Sequence, residues 1–178
     1  MVKPKILQVM LEAVRTLKGL DARWALGGDA SEVIQGVNAS ALSLEFLTFG
    51  EESTRAVHRA LGGLFSGEKT PHELEEREIT LKRIAEIGEE SRPVFVKSLH
   101  SKFQSGDVPI EIYGDPRIKI GDWAWGDPIE FEPALVYVVG ERIPVMPLRL
   151  RSDIYFGLGW LDRVHLIHEA DKRKHHQH

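Results

Sequence analysis

The feature that most constrains the fold of this chain is a pair of adjacent glycines between a predicted strand and a predicted helix. Residues 23–49 read RWALGGDASEVIQGVNASALSLEFLTF. The apolar segment before Gly27 and Gly28 predicts a short buried strand, and the helical pattern after them ends at Gly36. Asp29 follows the glycines directly, where we expect its side chain to cap the helix.

The next segment predicts a strand with two distinct faces. Over residues 42–47, Leu and Phe alternate with Ser43, Glu45 and Leu47. Side chains two residues apart in a strand point to the same side. We therefore expect Ser43 and Glu45 to project from one face.

The rest of the chain divides into helical and β-rich parts. Apolar residues at offsets of three and four predict a helix over residues 4–18, and helical character is also predicted over 51–64 and 70–90. Short β-rich segments separated by Gly, Asp and Pro fill residues 93–147. Helices are predicted again from about residue 148.

These patterns predict one domain. The 178 residues are long enough to bury a core, and neither a repeat nor a flexible linker divides them. We predict a single α+β domain over residues 1–171, with a mixed β-sheet flanked by helices. The basic, His-rich residues 172–178 are expected to be a disordered tail.

Composition excludes several classes of protein. Cysteine is absent, which excludes disulfides, thiolate metal sites and a cysteine nucleophile. No apolar segment has the roughly 18–20 residues of a membrane span, and the N-terminus does not resemble a signal peptide, so we expect a cytoplasmic protein with no membrane partner. A net charge of −4 gives no general attraction for nucleic acid. The single Asn, the absence of Cys and the abundance of Glu, Lys and Arg are typical of heat-adapted chains.

The diglycine has two interpretations on its own. Glycine lets the backbone approach an anion closely, and the first N–H groups of a helix suit phosphate. Glycine is also common wherever a strand must turn tightly into a helix.

The arrangement LGG…G…SLEFL resembles the start of the nucleotidyltransferase superfamily, and it is most similar to the abortive-infection, toxin-like branch and to small archaeal members. Members have a Gly-Gly or Gly-Ser turn, a short helix, and a strand with two carboxylates one residue apart. A later strand supplies a third carboxylate, and the three bind two divalent ions that hold a nucleoside triphosphate. The resemblance implies a nucleotidyltransferase-like fold.

The family roles can be transferred residue by residue. Gly27 and Gly28 correspond to the phosphate-binding turn, Ser43 to the first carboxylate, Glu45 to the second, and Glu111 of PIEIYG to the third. The resemblance thus implies that Glu45 and Glu111 bind Mg²⁺. Ser43 departs from the family pattern, because a neutral hydroxyl is at most a weak ligand or a hydrogen-bonding group.

Each of these residues also has an ordinary structural interpretation. Glu45 suits a solvent-facing strand position or a cross-strand ion pair, and Glu111 fits normal alternation between two isoleucines. Arg149, Arg151 and Arg163 fit either phosphate contacts or the polar faces of the C-terminal helices.

Two functions follow from the resemblance. The first is Mg²⁺-dependent nucleotidyl transfer from a nucleoside triphosphate to an acceptor hydroxyl, at a metal site eroded enough to leave the protein weakly active or inactive. The alternative is a non-catalytic binding or regulatory module on the same fold, with an unknown acceptor or protein partner and a homodimer as one form.

Overall fold

A computed structural model describes residues 3–65, 74–81 and 93–175 of the chain. In that part of the chain the structure has five helices and seven strands. The helices are α1 (Pro4–Leu17), α2 (Gly28–Ile34), α3 (Glu51–Phe65), α4 (Leu148–Gly157) and α5 (Leu161–His175). The strands are β1 (Trp24–Gly27), β2 (Leu44–Thr48), β3 (Glu75–Leu81), β4 (Val94–Ser105), β5 (Val108–Ile120), β6 (Ala134–Val138) and β7 (Glu141–Val145).

The strands form one mixed sheet in the order β3-β4-β5-β2-β1-β7-β6. Strand β2 pairs in parallel with β5, and β1 pairs in parallel with β7. The remaining neighbours, including β1 with β2 and β4 with β5, are antiparallel. The predicted α+β class, with a mixed sheet flanked by helices, is confirmed.

One face of the sheet packs against α1 and α3. Phe46 of β2 and Ile112 of β5 are fully buried there, in one core with Met10 of α1 and Leu61 of α3. Glu45 and Glu111 lie at alternate positions of the same strands. They therefore project from the other face, away from this core.

Helices α4 and α5 form a second, smaller apolar cluster beside the end of α2. It contains Val37, Leu148, Tyr155, Ile167 and Ala170. Arg173 of α5 donates a hydrogen bond to the carbonyl oxygen of Gly36 at 3.0 Å. This packing and this bond support the end of α5, and the helix continues to His175. The prediction of a disordered tail from residue 172 is therefore wrong for residues 172–175.

Two further predictions need correction. Residues 75–81, which we expected to be helical, form β3, because Ile79 and Leu81 alternate with polar residues and the whole segment pairs antiparallel with β4. The rest of the predicted helix over 70–90 lies outside the described residues, except Leu74, which precedes β3. Strand β2 begins at Leu44, two residues later than predicted.

A helix can cross a bilayer only if it is both long and apolar. Among the helices in the described ranges, none has both properties.

Candidate functional site

The diglycine forms the corner between β1 and α2. Strand β1 ends at Gly27 and α2 begins at Gly28, so the predicted order of strand, glycine turn and helix is confirmed. Gly28 has a φ of +58°, a left-handed conformation that disfavours side chains. Gly27 occupies the N-cap position, and none of the side chains that the structure describes caps the helix. The expected cap by Asp29 is therefore wrong, because Asp29 already lies in the first turn of α2.

The side chain of Glu45 lies directly against this corner. Glu45 is the register partner of Gly27 in the β1–β2 pair. A Cβ atom on Gly28 would lie 2.5 Å from the carboxyl carbon of Glu45, closer than such atoms can approach. The absence of a side chain at Gly28 thus makes room for the Glu45 carboxylate.

Glu45 and Glu111 are neighbours in space although 66 positions separate them in the chain. They are direct register partners in the parallel β2–β5 pair. Because partners in a sheet project to the same side, both carboxylates lie on the face opposite the main core. The structure thus brings Gly27, Gly28, Glu45 and Glu111 together.

The carboxylate of Glu111 is held by three donors. Tyr113 Oη donates to Oε2 at 2.5 Å, and His100 Nε2 lies 2.9 Å from the same oxygen. Lys102 Nζ lies 2.9 Å from Oε1. Burial opposes ionisation of Glu111, but the hydrogen bonds from Tyr113, His100 and Lys102 outweigh it and lower its pKa to about 2.

Glu45 has a different environment. Within the described part of the chain, no group forms a hydrogen bond or ion pair with its carboxylate. Burial raises the pKa of Glu45, the charge of Arg151 lowers it, and the neighbouring carboxylates of Glu111, Asp29 and Glu32 raise it further. Among the described acidic groups at this corner, Glu45 is therefore the one whose carboxylate lacks a hydrogen-bond or ion-pair partner.

Ser43 lies just outside the regular strand. It is in a bend one residue before β2 and is partly buried. Its burial continues the alternation of β2, in which Leu44 and Phe46 are buried and Glu45 is partly buried.

Five side chains join α2 to the C-terminal helices beside the diglycine. Glu32 is buried, and its Oε1 accepts hydrogen bonds from Arg151 Nε at 2.8 Å and Tyr155 Oη at 2.6 Å. Arg163 Nη2 donates to Glu32 Oε2 at 2.8 Å and also pairs with Asp29. The arginines thus neutralise the two acids of α2, and Asp29 does not face the turn as an unpaired charge.

Sequence reasoning missed His100, Lys102 and Glu32. A signal for the first two was present: Gly106 and Asp107 form a two-residue hairpin turn, and counting back from it places Lys102 opposite Glu111. No comparable signal exists for Glu32, because its partners lie 119 to 131 residues later in the chain.

The acidic side chains at this corner differ in how far other groups already pair with them. Mg²⁺ prefers carboxylate oxygens, and Glu45 offers a carboxylate that no described group engages. Glu111 is already paired with Lys102, and Ser43 is a neutral residue where the resemblance implies a carboxylate. Among the described residues, no group of three His, Asp or Glu side chains is arranged to hold a metal.

Comparison with known proteins identifies the fold. No protein-family model and no curated protein matches the chain. A crystal structure of a Thermotoga maritima protein, assigned provisionally as a nucleotidyltransferase, aligns with a TM-score of 0.67 and 20% identity over 97% of this chain and 96% of that one. The chain has the nucleotidyltransferase fold.

A second solved structure is less similar. It is ANT(2″)-Ia in complex with adenylyl-2″-tobramycin, with a TM-score of 0.47 and 7% identity over 90% of this chain and 86% of that one. The assignment of the nucleotidyltransferase fold rests on the Thermotoga maritima protein, and it confirms the resemblance found in the sequence at the level of the fold.

Proposed function

We propose that this nucleotidyltransferase-fold protein binds a nucleoside triphosphate with one Mg²⁺ at the diglycine corner, and that it transfers the nucleotidyl group slowly. The observation that carries the proposal is the position of Glu45. Its carboxylate lies against Gly28, beside Glu111, and no described group pairs with it. A carboxylate in this position suits a cation that also contacts phosphate.

The diglycine would hold the phosphates of the nucleotide. Gly28 adopts a left-handed conformation, and a backbone without Cβ atoms can approach an anion closely. Asp29 would otherwise repel phosphate, but Arg163 pairs with it. The local charge is therefore compatible with an anionic ligand.

The reaction that this site would support is displacement at the α-phosphorus. The acceptor hydroxyl oxygen forms a bond to that phosphorus, the bond to the bridging oxygen breaks, pyrophosphate leaves, and the hydroxyl proton passes to solvent. Mg²⁺ bound at Glu45 would supply charge stabilisation for the phosphates. Glu111 would add negative charge near that ion, although its own pairing with Lys102 weakens this role.

Two observations favour the alternative, a binding or regulatory module without catalysis. Glu111 forms three hydrogen bonds within the fold, and Ser43 supplies no charge. A scaffold that binds a nucleotide or a protein partner, as a monomer or a homodimer, needs no transfer chemistry. The acceptor would then have no role.

Calorimetric titration with ATP and with GTP, each with and without Mg²⁺, tests the proposal. We expect Mg²⁺-dependent binding that Glu45→Gln weakens by tenfold or more, about 1.4 kcal/mol. The exposed Glu132 provides a matched control, and Glu132→Gln should bind as the unaltered protein does. A silent titration with both nucleotides would count against the proposal.

The Ser43→Asp variant separates catalysis from simple binding. We expect it to increase pyrophosphate release if the remaining site geometry is competent for transfer. Nucleotide binding with no release in either protein would favour the regulatory module.

A further inference from the structure

The two carboxylate oxygens of Glu111 have different partners. Oε2 receives the bonds of His100 and Tyr113, whereas the ammonium of Lys102 is the one described group paired with Oε1, at 2.9 Å. Each oxygen can therefore be considered separately as a ligand for a cation.

The contacts of Oε2 hold the carboxylate in position. His100 is only 3% exposed, and its ring packs against the ring of Tyr113 with 5.0 Å between centroids. Hydrogen bonds of this kind commonly orient carboxylates that bind metals through another oxygen. His100 and Tyr113 therefore do not prevent a cation from binding at Oε1.

Lys102 does occupy the position beside Oε1. Its strand register places it directly opposite Glu111, and Glu111 is directly opposite Glu45, so the three side chains form a row across β4, β5 and β2. Two carboxylates and one ammonium give this row a net charge of −1 when all three are ionised. A divalent ion at Oε1 would be repelled by the ammonium that is already there.

We infer that Lys102 keeps a divalent cation from binding at Oε1 of Glu111, because its ammonium holds the position that the ion would take. This inference rests on the proposed function, and it assigns Lys102 as the residue that sets the number of metal ions. The Lys102 side chain is 44% exposed, so its charge can be removed without opening a cavity in the core.

Mn²⁺ titration followed by electron paramagnetic resonance, without nucleotide, tests this role. The Lys102→Met variant keeps the length of the side chain and removes its charge. We expect it to bind one more Mn²⁺ per chain than the unaltered protein, with an affinity for that ion raised about tenfold or more. The additional ion should disappear again in the double variant Lys102→Met/Glu111→Gln.

Two further variants control for charge and folding. Lys102→Arg retains the positive charge and should bind as the unaltered protein does. Lys97 lies on the same strand and also pairs with a glutamate, Glu76, so Lys97→Met should leave the number of ions unchanged. Should Lys102→Met fail to fold, as judged by circular dichroism, Lys102→Gln replaces it.

The outcomes separate this inference from the proposed function. An equal number of ions in the unaltered and Lys102→Met proteins overturns the inference, as does an additional ion that survives Glu111→Gln. Failure of the unaltered protein to bind Mg²⁺ and nucleotide overturns the proposed function instead, and an additional ion in Lys102→Met would support the inference even then.

Discussion

At the scale of single residues, Gly28 combines two requirements that can be measured separately. Its φ of +58° disfavours any side chain, and the carboxylate of Glu45 occupies the space that a Cβ atom would need. Gly36 has only the first requirement, because its φ is +95° and no atom lies within 4 Å of its Cβ position. The two glycines are thus a matched pair.

We expect Gly28→Ala and Gly36→Ala to lower the free energy of unfolding by similar amounts, about 1–2 kcal/mol each, since both force alanine into a left-handed conformation. Only Gly28→Ala should also weaken Mg²⁺-dependent nucleotide binding, because it displaces the flexible end of Glu45. Urea unfolding and calorimetry measure the two effects. Equal loss of binding in both variants would contradict this role of Gly28.

Glu111 should make stability depend on pH. Its pKa is about 2 in the folded protein, against an ordinary value of 4.5. The unfolded chain therefore binds more protons in this window, and stability should fall as the pH decreases from about 4.5 towards about 2. Urea midpoints measured across the window in a chelating buffer should fall less in Glu111→Gln than in the unaltered protein. If the urea midpoints of the two proteins fall equally over this pH range, the three donors do not stabilise the ionised form of Glu111.

The strand positions of Glu45 and Glu111 could be predicted from the sequence, but the partners of these residues could be predicted only in part. The alternation around Glu45 and Glu111 is visible in the sequence. The pairing of Glu111 with Lys102 depends on the register of a hairpin, which the two-residue turn at Gly106 fixes and which the alternation of a single strand does not reveal. The environment of Glu45 depends on which distant groups come near it, such as Arg151, and no local pattern shows this.

At the scale of elements, α2 is held by charge as well as by apolar contacts. It is a short helix, and its buried Glu32 is engaged by Arg151 of α4 and Arg163 of α5. Removing one partner of a buried ion pair leaves the others uncompensated. The attachment of the C-terminal helices to the diglycine corner should therefore depend on Glu32.

We expect Glu32→Ala to lower the free energy of unfolding by about 3–5 kcal/mol, because it leaves two partly buried arginines without their main partner. Glu169, on α5, pairs with His165 at the surface, and Glu169→Ala should cost less than about 1 kcal/mol. Urea unfolding of both variants measures the difference. If both variants lose a similar free energy of unfolding, the buried cluster around Glu32 contributes little to stability.

The element that sequence reasoning misjudged is β3. Its charged residues, Glu75, Glu76, Arg77 and Glu78, match a helical pattern as well as a strand pattern over a short window. Its state is decided by pairing with β4 at the edge of the sheet. Tertiary pairing thus overrode a local preference, as is common for strands.

At the scale of the whole molecule, fold class was predictable and strand order was not. Helical and alternating periods predicted an α+β domain, because these patterns are local. The order β3-β4-β5-β2-β1-β7-β6 depends on partners far apart in the chain, such as β1 with β7. The resemblance supplied what periodicity lacked, since it placed Glu45 and Glu111 near one turn before any pairing was known.

The parallel pairing of β2 with β5 also determines when this corner can assemble during synthesis. A ribosome releases Glu45 well before Glu111, and Arg163 emerges later still. A nascent chain that stops after β2 has the diglycine and Glu45, but neither Glu111 nor the arginines that neutralise α2. The corner therefore stays unfinished until translation has passed α5, and contacts between such distant segments also slow folding.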